Sequence, residues 1–179
     1  LQKAAQRPQA HVVLLCGNDG EGHSFFLDRV RRFCRSELNA ETLMLPDSVY
    51  DLAPDIAIEA LRDAFDPAPA PGAIAACIAD ILSERNVILV YPEVYVVEQA
   101  EWLQRHYRQA IPELLGRLWP EGRPSSNGII ALQPIWWKSR LWDFLPLISG
   151  ESRAMRVLRP IQRQEPPRPD LRVWVEPLG

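Results

Sequence analysis

The chain has 179 residues, a formal net charge of −3, 47% hydrophobic and 24% charged residues. That suits one ordinary domain, which would bury roughly 70% of the surface of its unfolded chain and needs neither disulfides nor metal to fold. It excludes wholesale disorder, no apolar run reaches the ~18 residues of a membrane span, and the acidic balance points away from a dedicated nucleic-acid binder.

Cys16, Cys34 and Cys77 are scattered in apolar stretches, fitting neither a disulfide framework nor a zinc site, so small buried hydrophobes in a reducing cytoplasm are expected. There is no charged-then-apolar leader, and Leu1 in place of a starting Met points to a piece of a longer polypeptide. The strong preference for Arg over Lys is associated with GC-rich bacterial genomes.

In chain order, residues 1–10 form a flexible polar start. His11–Cys16 is a continuous apolar run of strand length, closed by the turn cluster Gly17–Gly20. Phe25, Phe26, Val30, Phe33, Cys34 and Leu38 repeat at helical spacing over 24–38. Glu41–Pro46 is expected as a second strand and Asp51–Phe65 as a helix capped by Asp51 or by Asp55. After the proline-rich loop 66–72, Ala73–Arg85 predicts a buried helix and Val87–Tyr91 a third strand. Glu98–Trp119 predicts a long amphipathic helix kinked at Pro112. Gly128–Gln133 is a fourth strand, Leu141–Ile148 a short helix, Ala154–Leu158 a fifth strand and Leu171–Val175 an edge strand after a Pro/Arg-rich connector. Such alternation predicts an α/β fold of three layers with a mostly parallel five-stranded sheet, the first strand central.

The loop Gly17-Asn18-Asp19-Gly20-Glu21-Gly22-His23-Ser24 fits the phosphate-loop pattern G-x-x-x-x-G-K-[ST] at all fixed positions but one. Gly17 and Gly22 take the glycine positions, where backbone N–H groups must turn inward around phosphate. Ser24 takes the hydroxyl position at a helix start, whose partial positive charge favours anions. His23 replaces the lysine, exchanging a permanent cation for a group mostly neutral at pH 7. Asp19 and Glu21 add two negative charges. At an effective dielectric of 20, a carboxylate ~5 Å from a phosphate charge costs roughly 3 kcal/mol. The loop is therefore expected to be degenerate; a glycine-rich strand–helix turn that serves no phosphate is the plain alternative.

Nucleotide hydrolysis also needs a carboxylate at the tip of a second buried strand to hold Mg²⁺. Tyr91 and Pro92 occupy that region, with Glu93 just beyond as a degenerate acidic tip or an ordinary solvated glutamate. Gln133, ending the fourth strand, falls where related ATPases place a group that senses the γ-phosphate.

Together the loop Gly17–Ser24, the tip Val87–Glu93 and the strand Gly128–Gln133 resemble the STAND branch of P-loop NTPases. The departures at His23 and at Tyr91-Pro92 are similar to those of inactive STAND modules of bacterial conflict systems. The resemblance covers roughly residues 10–160, within a P-loop-like domain 11–160 followed by connector and edge strand at 161–179. It implies strand order 5-1-4-3-2, no catalytic residues, no bound cofactor or metal, and a role as a sensor or protein-interaction scaffold in a multidomain defence or signalling protein. The implied partner is a protein or a fused effector domain, with no membrane and no nucleic acid, in a bacterial cytoplasm. The alternative is a weak NTPase using Ser24 and Glu93 for Mg²⁺.

Two further features stand apart from the loop. Trp136, Trp137 and Trp142 cluster after the fourth strand beside Lys138 and Arg140, either as core or as a partner-docking patch. Six arginines from Arg153 to Arg172 form a basic drift, a solvated face or an interdomain contact. His11 and His106 have no matching ligands nearby in sequence and are expected to be structural.

Overall fold

The computed structural model describes residues 9–18, 23–47, 53–96, 106–119, 127–137 and 171–177. β1 (Ala10–Asn18) is apolar on consecutive positions because both of its faces are covered: Val12, Val13, Leu14, Leu15 and Cys16 are all buried. It pairs in parallel with β5 (Ile129–Trp137) from Ala10↔Ile129 to Asn18↔Trp137. On its other side lies β6 (Leu171–Pro177), in register from Ala10↔Leu171 to Cys16↔Pro177. β2 (Ala40–Met44) pairs with β3 (Asn86–Val90), and β3 with β5, all parallel. The order is β2-β3-β5-β1-β6. Numbered along the chain, with β5 fourth and β6 fifth, this is the expected 5-1-4-3-2 with the first strand inside the sheet.

Alternate residues of the same strands feed two cores. Val13, Leu15, Ile88, Val90, Ile130 and Leu132 pack with Val30, Cys34 and Leu38 of α1 (His23–Glu37) and its end. Those helix positions are four apart, the spacing of one helical face. On the opposite face Val12, Leu14, Leu43, Leu89 and Ala131 meet three helices. These are α2 (Pro54–Ala60), α3 (Ile74–Glu84) and α4 (Ile111–Leu118). α1 leads into β2 through Asn39, whose φ of 45° is a left-handed conformation that asparagine tolerates better than most residues.

Several local expectations are corrected. The helix expected over Asp51–Phe65 is α-helical only from Pro54 to Ala60 and tightens to a 3-10 turn at Leu61–Ala64. Its N-cap is Ala53, without a side-chain cap, since Pro54 pre-sets the first turn; Asp55 lies inside that turn and Asp51 outside the described residues. α3 buries one side, Ile74, Ile78 and Leu82, while Ala75 and Ala76 are exposed. The segment before Pro112 is not a continuous α-helix: His106–Ala110 is a π-turn that passes into α4 two residues before Glu113. Proline cannot donate an N–H and crowds the carbonyl four residues back, which the wider turn relieves. The fourth strand runs beyond Gln133, through Pro134 to Trp137. The place beside β1 that the order gives to a fifth strand is held by Leu171–Pro177. The expected strand 154–158 and helix 141–148 lie outside the described residues.

Candidate functional site

The C-terminal edge of a parallel sheet is where α/β folds hold ligands, because helix starts and strand ends converge there. Here β1 ends at Asn18 and α1 begins at His23, the strand–loop–helix context that the phosphate-loop pattern requires. Gly17 and Asn18 are the last residues of β1, in register with Trp136 and Trp137. Asp19, Gly20, Glu21 and Gly22 lie outside the described residues, as do the side chains of Asn18, His23 and Ser24.

The acidic tip is differently built from what the sequence suggests. The strand does not end at Tyr91. It resumes as β4 (Val94–Val96), still on the same edge of β5, with Val94↔Ile135 and Val96↔Trp137. Between Val90↔Leu132 and Val94↔Ile135, three residues on one strand face two on the other, a one-residue bulge. The bulge falls where both strands carry a proline, Pro92 on one and Pro134 on the other, neither with an N–H to give. Tyr91 N–H still donates to Leu132 O at 2.8 Å. Gln133 Nε2 donates to Pro92 O at 2.7 Å and to Pro134 O at 2.8 Å. Glu93 therefore sits half-buried within a bulge rather than at a strand tip.

Gln133 is fully buried. A carboxamide nitrogen carries two hydrogens, and both are directed to backbone carbonyls. The group that the sequence places for sensing a γ-phosphate thus has its donors committed to holding the bulge.

Trp136 is corrected from the docking patch to the core. Its side chain is 1% exposed, and it is flanked in the sheet by Gly17 and Tyr95. The side chain of Trp137 and all of Trp142 lie outside the described residues.

On the α2–α4 side of the bulge is a cavity of about 210 Å³ lined by Pro54, Ala57, Tyr91, His106, Glu113 and Leu114, among others. His106 meets Tyr91 edge-on at 5.7 Å between ring centres and Tyr107 at 5.4 Å. Burial pushes its pKa down from 6.5 to about 4, so the imidazole is neutral at physiological pH. His11 is also buried and accepts a hydrogen bond at Nδ1 from Trp174 Nε1 at 3.1 Å, joining β1 to β6. Both histidines are buried polar side chains within the sheet and its helix layer. Cys16 and Cys34 are buried, and burial lifts the Cys34 thiol to about 11. No group of three metal-ligating side chains exists among the described residues. Nor is any helix among them long and apolar enough to cross a membrane.

The bulge, the cavity and the role of Gln133 escaped sequence reasoning. Their signal was present: a proline flanked by Val87–Val90 and Val94–Val97 marks an interrupted strand rather than a finished one.

No protein-family model and no curated protein matches the chain. Among solved structures it is similar to Drosophila ORC bound to GC-rich DNA and Cdc6, at 11% identity and a TM-score of 0.52, over 99% of this chain and 26% of that one. It is also similar to Drosophila ORC bound to poly(dA/dT) DNA and Cdc6, at 12% identity and a TM-score of 0.49, over 99% and 26%. The chain spans about a quarter of the length of these structures. At such identity the likeness concerns the fold alone. The parallel strand order, with β1 ending at Asn18 and α1 starting at His23, is consistent with a P-loop NTPase-like α/β fold.

Proposed function

We propose that the domain is a P-loop-like module of the STAND type that does not hydrolyse nucleotide and serves as a sensor or protein-interaction scaffold within a larger defence or signalling protein. The commitment of both Gln133 donors to Pro92 O and Pro134 O carries this reading. A side chain that reports a γ-phosphate must have a donor to give it. His23 in place of lysine, the carboxylates Asp19 and Glu21, and Tyr91-Pro92 in place of an acidic tip support the same conclusion. Each removes a separate requirement of Mg-nucleotide chemistry: the fixed cation, tolerance of a polyanion, and the metal's carboxylate. What remains is a rigid parallel sheet with helices on both faces, a frame suited to presenting surfaces.

Calorimetry with Mg-ATP and Mg-GTP, paired with a phosphate-release assay, tests the proposal. The expected result is no saturable binding below ~1 mM and no turnover. A dissociation constant below about 10 μM, about −7 kcal/mol, would overturn it in favour of a weak NTPase using Ser24 and Glu93. His23→Lys alone is expected to leave binding poor, because Asp19 and Glu21 remain. Tight binding by that variant would locate the whole defect in the missing lysine.

A further inference from the structure

Two helix surfaces on opposite sides of the sheet carry opposite charge. α1 exposes Arg29, Arg31, Arg32 and Arg35 against Asp28 and Glu37, a net charge of +2 in a chain whose total is −3. Asp28 and Arg31 approach at 3.9 Å, with half or more of each side chain exposed. α2 and its 3-10 extension expose Asp55, Glu59 and Asp63 against Arg62, a net charge of −2. Arg117 reaches Asp55 at 3.5 Å, and Glu59 accepts a hydrogen bond from Gly72 N–H at 3.0 Å. Each surface also holds an exposed large apolar side chain: Phe33 on α1, 36% exposed, and Ile56 on α2, 56% exposed. Among the described residues these two are the exposed large hydrophobics.

We infer that the α1 surface of one copy of this chain docks on the α2 surface of a second copy, head to tail. Arg29, Arg32 and Phe33 would face Asp55, Asp63 and Ile56 of the second copy. The two surfaces cannot both serve one two-fold dimer. α1 packs on the Val13 and Leu15 side of β1, and α2 on the Val12 and Leu14 side. A symmetric contact of α1 on α1 would bring arginines together. The complementary contact leaves a free surface at each end, so it adds further copies rather than closing at two.

Size sets the strength. Half the cylinder of a 15-residue helix, ~22 Å long and ~10 Å across, offers roughly 350 Å² per partner. That is below the ~1,200 Å² total of a stable interface. The isolated domain should therefore associate weakly, with a dissociation constant of about 100 μM at low salt. Association should fade as the screening length falls from ~10 Å at 0.1 M to ~3 Å at 1 M.

Sedimentation velocity on the 179-residue chain, at rising concentration in low and high salt, tests the contact. The first variant, Arg29→Glu/Arg32→Glu, turns the α1 surface to −2. The second, Asp55→Lys/Asp63→Lys, turns the α2 surface to +2. Neither variant is expected to self-associate, while an equimolar mixture should associate as the unaltered chain does. Restoration by mixing also shows that both variants are folded, and far-UV circular dichroism checks each alone. A chain that stays monomeric at ~500 μM in low salt overturns the proposal. So does association that survives both reversals, or a mixture of folded variants that stays monomeric. A monomer whose α1 arginines instead bind an added oligonucleotide overturns it in favour of a nucleic-acid surface.

Discussion

Gln133 of β5 and Pro92 of the facing bulge are joined directly, the side chain of the first donating to the carbonyl of the second. Gln133 Nε2 reaches Pro92 O at 2.7 Å and Pro134 O at 2.8 Å. Gln133→Leu keeps similar volume and removes both donors. Each lost bond between buried groups contributes about 0.5–1.5 kcal/mol, so a loss of roughly 1–3 kcal/mol is expected, read as a lower urea midpoint with unchanged slope. Gln133→Glu should cost more at pH 7, where a carboxylate faces two carbonyls. It should recover part of the loss in acid, as protonation returns one donor. A Leu variant as stable as the parent would refute the bridging role.

Asn86 performs a comparable task at the other end of the sheet. Its Nδ2 donates to Leu38 O at 3.0 Å, its Oδ1 accepts from Gly128 N–H at 2.8 Å, and its backbone N–H donates to Asn39 O at 3.1 Å. One side chain thus ties the end of α1, the start of β3 and the entry to β5. Asn86→Ala is expected to lose about 2–3 kcal/mol. Asn86→Asp should lose as much near neutral pH, since the Leu38 carbonyl would face a carboxylate. Chemical denaturation of both variants checks the pair, and a loss under ~0.5 kcal/mol for either would remove Asn86 from this role.

Burial lowers the pKa of His106 to about 4 from 6.5. The unfolded chain therefore takes up a proton below pH 6.5 that the folded chain refuses until about pH 4. The folded state is at full advantage above pH 6.5 and loses it as pH falls toward 4, by at most about 3 kcal/mol. His106→Gln removes the titrating group, so stability measured from pH 7 to 4 should fall less steeply than in the parent. Parallel slopes would show that His106 titrates normally.

How much of this was legible depends on whether a feature is local. Val12–Cys16 and Val87–Val90 announce doubly covered strands because each position alone must be apolar. Val30, Cys34 and Leu38 mark the face of α1 by spacing alone. The bulge was hidden because it depends on register: only the pairing of Val90 with Leu132 and Val94 with Ile135 shows that one residue is left over. Trp136 stayed open between core and docking patch for the same reason. A strand thought to end at Gln133 puts the tryptophans beyond the sheet, whereas one continuing through Pro134 puts Trp136 between Gly17 and Tyr95. Pro134 invited the early ending, since proline removes a ladder donor. The cavity between α2 and α4 brings Pro54 and Ala57 to His106 and Glu113, residues no local pattern associates.

Trp136 yields the most direct test of that register. Its indole is 1% exposed at the C-terminal end of β5, beside the last residues of β1. Truncating a buried tryptophan removes a large apolar area and leaves a cavity, which costs about 3–5 kcal/mol. Trp136→Ala is expected to fall in that range, and Trp136→Phe to lose less, because a smaller ring still fills part of the space. Since Trp136 pairs with Gly17 and Gly17 opens the loop 17–24, the Ala variant should also raise hydrogen exchange of the Cys16 and Gly17 amides before it affects β2 at the far edge. Urea unfolding with site-resolved exchange measures both effects. A Trp136→Ala variant within ~1 kcal/mol of the parent would place the indole at the surface, restore it to the docking patch and break the register between β1 and β5.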